Sequence, residues 1–220
     1  MKHKRRPLIL FSLPALVSIF LALACLQCSR SPTSGRTANP SETDLQDPVL
    51  RERLERDAVF RGESSPILPQ DKAAFRGLAY YPVDPELRFS VVLHRYPSPL
   101  QVRLGTNTGE IRSALRYGYF EFAVAGQVCR LQVYRLDDAA DRGASLFIPF
   151  RDATSGRETY GAGRYIDLKE NTSGSYDLDF NRAYNPSCAY DATYSCPVPP
   201  AENTLPVAMR AGEKSYSAGQ

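Results

Sequence analysis

The sequence predicts a mainly β domain: an antiparallel barrel or sandwich-like sheet, with one amino-terminal helix and an irregular, Pro-rich carboxy-terminal tail. Three observations carry this expectation. Apolar residues alternate with period two in two long runs, shorter apolar runs follow between Gly, Asp and Pro turns, and only one segment has helical spacing. The 220 residues, 43% hydrophobic and 10% aromatic, suffice for one core and exclude a wholly disordered chain.

The chain opens with KHKRR at residues 2–6, followed by a 17-residue apolar run over 8–24 that contains Pro14. A membrane-spanning helix needs about 20 such residues. The run ends in Leu21-Ala22-Leu23-Ala24-Cys25, which resembles the lipobox of bacterial lipoproteins. That resemblance implies removal of residues 1–24 and diacylation (palmitate-type chains) of Cys25, with cleavage near Ala24 by an ordinary secretory route, or an uncleaved anchor, as the alternatives. Leu26 stands where an Asp would retain a lipoprotein at the inner membrane, so outer-membrane placement in the envelope is favoured if the host has one. Residues 25–46 then read as a solvated tether, rich in Ser, Thr, Pro and Gly, and 47–220 as a single domain.

Asp47-Pro48 is a helix start, an oxygen acceptor before a Pro at the first helical position, and Gly62 is the stop. Leu50, Leu54 and Ala58 supply the apolar stripe of a helix over about 47–60, and a short turn or helix is expected near 70–75. Leu87, Phe89, Val91 and Leu93 then alternate with Arg88, Ser90, Val92 and His94. Phe120, Phe122 and Val124 share one face, and Cys129, Leu131 and Val133 resume it beyond Ala125-Gly126, so these runs predict a hairpin. Further strands are expected near 100–105, 111–117, 145–150, 163–168 and 175–180. From Asn185 onward the chain is too rich in Pro for regular elements.

Two strings stand out, FRDATSGRETYGAGR at 150–164 and DFNRAYNPSCAYDATYSCPVPPAEN at 179–203. With FRGLAYYPVDPELR at 75–88 and AGEK at 211–214, they resemble the bacterial and archaeal family DUF1684. The resemblance runs from about Asp47 to Lys214, with departures at Ser187, Ser195 and Val198. Longer members carry a Trp-rich amino-terminal segment, and this chain has no Trp, so nothing belonging to that segment is implied. The family has no assigned activity, so the resemblance implies no reaction.

The strings hold Arg151, Asp152, Thr154, Ser155, Glu158, Arg164, Asp179, Asn181, Arg182, Asn185, Glu202 and Asn203. Such groups either pin loops that lack regular ladders or converge on a site for a small polar ligand. A catalytic pair, Asp179 with Glu158 or Glu202, is the enzymatic alternative, and it requires environments that separate the two acidities. Cys188 and Cys196, eight apart in an exported chain, predict a disulfide, and Cys129 a buried, inert thiol.

Other chemistry finds little support. His94 is the only histidine after residue 24, with no full set of Cys and His ligands at zinc spacing, no EF-hand string and no GxSxG elbow. No cofactor and no metal are expected. Four of the 27 basic residues lie in the first six positions, leaving 23 against 24 acidic ones, so no basic excess points to nucleic acid. The reading that results is an envelope lipoprotein, held to the membrane by its anchor, that binds a small polar ligand or another envelope protein without catalysis. An envelope hydrolase using carboxylates of the same segments is the alternative.

Overall fold

The computed structural model describes residues 46–136 and 145–217. The expected signal segment, the expected lipidation site Cys25 and all but the last residue of the expected tether lie outside them. Helix α1, Pro48–Arg61, starts where the cap signal places it. Asp47 Oδ1 accepts from the backbone N–H groups of Val49 at 2.8 Å and Leu50 at 3.4 Å, and Gly62 closes the last turn on Val59 O. A single 3-10 turn, Lys72–Ala74, stands for the expected short helix.

Seven strands follow: β1 Arg88–Val92, β2 His94–Gly105, β3 Ile111–Val124, β4 Gln127–Leu136, β5 Ser145–Phe150, β6 Arg164–Lys169 and β7 Ser175–Asp179. They form two antiparallel sheets, a five-stranded meander ordered β2-β3-β4-β5-β6 and a ribbon of β1 with β7. The meander stays open, with β2 and β6 as its edges, so the arrangement is a sandwich and the barrel alternative drops out.

The segments expected as separate strands at 111–117 and 119–124 are one strand with a bulge between Arg116 and Gly118. The extra residue flips the alternation. Ala114 therefore packs with Leu104, Tyr134, Phe147 and Tyr165 on one face, while Phe120 and Phe122 pack on the other. The β3–β4 hairpin turns on Ala125 and Gly126, both at positive φ, which matches the twist that two-residue loops require.

The main core lies between the sheets, where Phe120, Phe122, Leu131 and Val133 meet Val91, Leu178 and Phe180. Leu205, Met209 and Ala211 from the tail close its side. A second group, Phe60, Ile67, Leu78 and Tyr190, seats the end of α1.

The helix contradicts its expected stripe. Val49 and Phe60 are its buried residues, whereas Leu50 and Leu54 are only partly covered and Ala58 is exposed. Positions 49, 53, 56 and 60 share one face at helical spacing, so the helix turns Arg53 and Arg56 toward the domain. Both guanidinium groups lie over aromatic rings, Arg53 at 4.6 Å from Tyr80 and Arg56 at 4.9 Å from Phe60 and 4.8 Å from Tyr184. A long arginine stem covers apolar surface as a leucine would, which lets a charged position serve as a packing position.

Candidate functional site

The tail crosses the sandwich with few ladder bonds. Isolated bridges, Thr106 with Pro197, Arg151 with Thr204 and Tyr165 with Tyr184, attach it at intervals. Buried backbone groups between these points need partners, and the polar strings supply them. Arg164, 1% exposed, donates to Asp152 Oδ2 at 3.0 Å, to the carbonyls of Met209 at 2.8 Å and Glu213 at 3.1 Å, and to Ala211 O. Burial lowers its basicity while Asp152 opposes that shift. Asp152 Oδ1 accepts from Thr154 N and Oγ1 and from Met209 N, and Ser155 Oγ accepts from Asp152 N.

Asn203 works the same way between strands. It accepts from Gln132 N at 2.7 Å and donates to Gln132 O and Pro149 O at 3.0 and 2.7 Å. Asn181 clamps both backbone groups of Asp84 at 2.8 Å and donates to Asp179 Oδ1, which also accepts from Asn181 N. Asn185 donates to the buried carboxylate of Glu213, its N–H at 3.0 Å and its Nδ2 at 2.9 Å, and Tyr190 donates to Glu213 Oε1. Burial pushes the Glu213 carboxyl above its usual range against the pull of Arg56, Tyr190 and Asn185. Gly212 lies at φ +74, and a Cβ there would meet Ala183 O at 2.5 Å, so the AGEK string needs its glycine.

The remaining predicted residues lie nearer the surface with separate partners. Glu158 accepts from Arg210 at 2.8 and 3.0 Å and from Tyr81 Oη at 3.0 Å. Those bonds hold its carboxyl low, and burial with the Glu158 bond pushes the Tyr81 phenol up to about 12. Glu202 accepts from Tyr134 Oη at 3.2 Å, Arg151 donates to Ala162 O at 3.4 Å, and Arg182 pairs with Glu52 at 3.2 Å and Asp179 at 3.9 Å. Asp179, Glu158 and Glu202 are thus held by three different sets of partners. None of them lines the cleft described below.

Cys129, Cys188 and Cys196 are buried and free, and the expected Cys188–Cys196 bond is not formed in this structure. The two are neighbours all the same: Cys188 N–H donates to Cys196 Sγ at 3.4 Å, and Tyr160 Oη donates to Cys188 O at 3.3 Å and lies 3.7 Å from its Sγ. The thiols hydrogen-bond each other, which holds Cys188 above and Cys196 below the ordinary thiol value. Burial pushes the Cys129 thiol up, in keeping with an inert core group. Among the described residues no group of three or more His, Cys, Asp and Glu is placed to hold a metal ion.

Open space lies elsewhere. A cleft of about 370 Å³ runs beneath α1, between Val49, Glu52, Arg53, Glu55, Arg56, Val59 and Phe60 on the helix and Tyr80 and Asn181–Tyr184 opposite. Of the predicted site residues it includes Asn181 and Arg182. Arg53 donates to Tyr81 O at 2.8 Å and Asn181 O at 3.1 Å, and Arg56 to Asn185 O at 3.2 Å. Burial acts most strongly on Arg56 and lowers its basicity, but Glu213 at 3.5 Å with Tyr190 and Tyr80 together outweigh it and leave it raised, whereas burial lowers that of Arg53. Tyr80 Oη is buried without a hydrogen-bond partner. Sequence reasoning missed Arg53, Arg56, Tyr80 and Tyr184. The signal available was the 49, 53, 56, 60 spacing, in which two arginines occupy apolar positions.

Comparison with known proteins now has a geometry to bear on. The model of the family described as "Protein of unknown function (DUF1684)" matches residues 73–214. The chain belongs to this family. The match spans every strand and the tail network but begins after α1, so one wall of the cleft lies within the DUF1684 region and the other precedes it. No curated protein matches significantly. The solution NMR structure of an uncharacterized protein from Haloarcula marismortui is similar at 37% identity and TM-score 0.61, covering 79% of this chain and 93% of that one.

Proposed function

We propose that this DUF1684 chain is an envelope lipoprotein, anchored through Cys25, whose domain binds a small molecule in the cleft beneath α1 without transforming it. The single observation that carries the binding reading is the cleft itself, an open, mostly apolar space bordered by three arginines and walled by packed elements. Ligand sites of this kind are largely preformed, with a few polar groups among apolar walls. The polar strings support the non-catalytic part, because their carboxylates are engaged in holding the tail and not gathered on one opening. The lipobox-like sequence and the tether-like composition after it support the anchor.

Two measurements test the reading. Radiolabelled palmitate should enter the full-length chain in a bacterial host, and Cys25→Ala should abolish the label; undiminished label would remove the anchor from the reading. Native mass spectrometry of the chain extracted in neutral detergent should show a small-molecule adduct that Val59→Trp, at the exposed wall of the cleft, displaces. An adduct unaffected by Val59→Trp would place the ligand elsewhere.

A further inference from the structure

Every charged side chain around the cleft except one has an ionic partner. Arg56 faces Glu213 at 3.5 Å, Arg182 pairs with Glu52 at 3.2 Å, and Glu55 with Arg51 at 3.9 Å. Arg53 has only backbone carbonyls and the Tyr80 ring, with no carboxylate within 4 Å among the described residues. Asp47 and Asp179 act on it through space, but one caps α1 and the other serves Asn181 and Arg182. A half-buried arginine with carbonyl acceptors alone lacks a contact ion pair in a site of reduced dielectric.

Resting on the binding reading above, we propose that the cleft takes a small organic monocarboxylate, its acid group on Arg53 and its apolar body against Phe60, Tyr80 and Val59. Among the described residues, Arg53 is the one cation of the cleft without an ion-pair partner, and a single carboxylate supplies that partner. A phosphate dianion would bring a surplus beside Glu52 and Glu55, and a neutral molecule would leave Arg53 as it is. Guanidinium and carboxylate match in planar geometry, which favours this pairing over a bare halide-like anion. The apolar lining and the volume of about 370 Å³ suit a body the size of one aromatic ring.

The test is equilibrium dialysis of the full-length chain in neutral detergent with radiolabelled phenylacetate, against a detergent-only blank. Saturable binding is expected, with phenylethanol competing at least about tenfold more weakly and inorganic phosphate not at all. Arg53→Gln should weaken binding by about tenfold or more. If that variant fails to fold, Val59→Glu sets a competing negative charge on an exposed wall and should weaken phenylacetate while sparing phenylethanol. Phenylethanol competing as well as the acid, with Arg53→Gln unchanged, would keep the cleft as a ligand site and overturn acid recognition. Displacement by phosphate would overturn the organic body. No saturable uptake up to about 10 mM would overturn this inference and the cleft reading together.

Discussion

Arg164 and Arg53 are both held by backbone carbonyls, and both leave Nε buried without a partner. They differ in what balances the charge. Arg164 lies buried under the tail with Asp152 at 3.0 Å, whereas Arg53 borders a cleft with no carboxylate within 4 Å among the described residues. The first arrangement is complete as it stands. The second is complete as packing but has no contact ion pair. The contrast teaches that a dense polar string marks where the backbone needs holding, while the cleft holds an arginine with no ion-pair partner.

The largest expected effect breaks the complete side. Asp152→Ala strands the buried Arg164 charge and removes the acceptor of Thr154 and Met209, which should cost about 3–5 kcal/mol in urea unfolding. Replacing both partners, Asp152→Ala with Arg164→Met, should recover part of that loss, because no unpaired charge then remains. A double variant as unstable as the single one would show that packing, not charge balance, dominates there.

Oxidation sharpens the same side. Closing Cys188 to Cys196 should remove two hydrogens by mass and stabilise the tail by about 2.5 kcal/mol on the loop-entropy relation. The comparison is the unfolding midpoint in oxidised and reduced protein, and equal midpoints would deny the bond a stabilising role.

Glu213 sits between the two regions, touching Asn185 and Tyr190 in the tail and Arg56 at the cleft. Burial holds its pKa above the unfolded value, so the folded state binds more protons between the ordinary carboxylate range and the raised value. Stability should therefore fall as pH rises through that window and level off above it. Glu213→Gln should flatten the slope, as read from unfolding midpoints over a pH series.

The smallest effect belongs to the open side. Arg53→Met orphans no carboxylate but loses two bonds to carbonyls and the guanidinium contact with the Tyr80 ring, so it should cost about 2 kcal/mol in the same urea unfolding. A loss as large as that of Asp152→Ala would erase the contrast.

Strands were legible from period-two alternation in the long runs and from short apolar runs between turns. The expected ends at 145–150, 163–168 and 175–180 fall within a residue of β5, β6 and β7, whereas β2 begins at His94, ahead of the expected 100–105. The bulge at Arg116 was not, since one extra residue leaves the composition unchanged and inverts the facing. The helix was legible as a helix, through Asp47, Pro48 and Gly62, but its face was not. Apolarity alone pointed to Leu50, Leu54 and Ala58, while the packing uses the stems and guanidinium planes of Arg53 and Arg56 over aromatic rings. Within the strings, chemistry was legible and role was not: Asn203 reaches Gln132 and Asn181 reaches Asp84, partners far away in the chain. The cleft was out of reach because its two walls, α1 and residues 181–184, are joined only by the fold.

Amide hydrogen exchange on the full-length chain tests the central claim most directly, that polar side chains hold the tail as firmly as ladders hold the sheet. The amides of Asn185 and Met209, which donate to the side chains of Glu213 and Asp152, should exchange as slowly as those in the middle of β3 and β4, opening only with the whole domain. Exchange orders of magnitude faster than in those strands would contradict it, and would make the tail a separately opening segment.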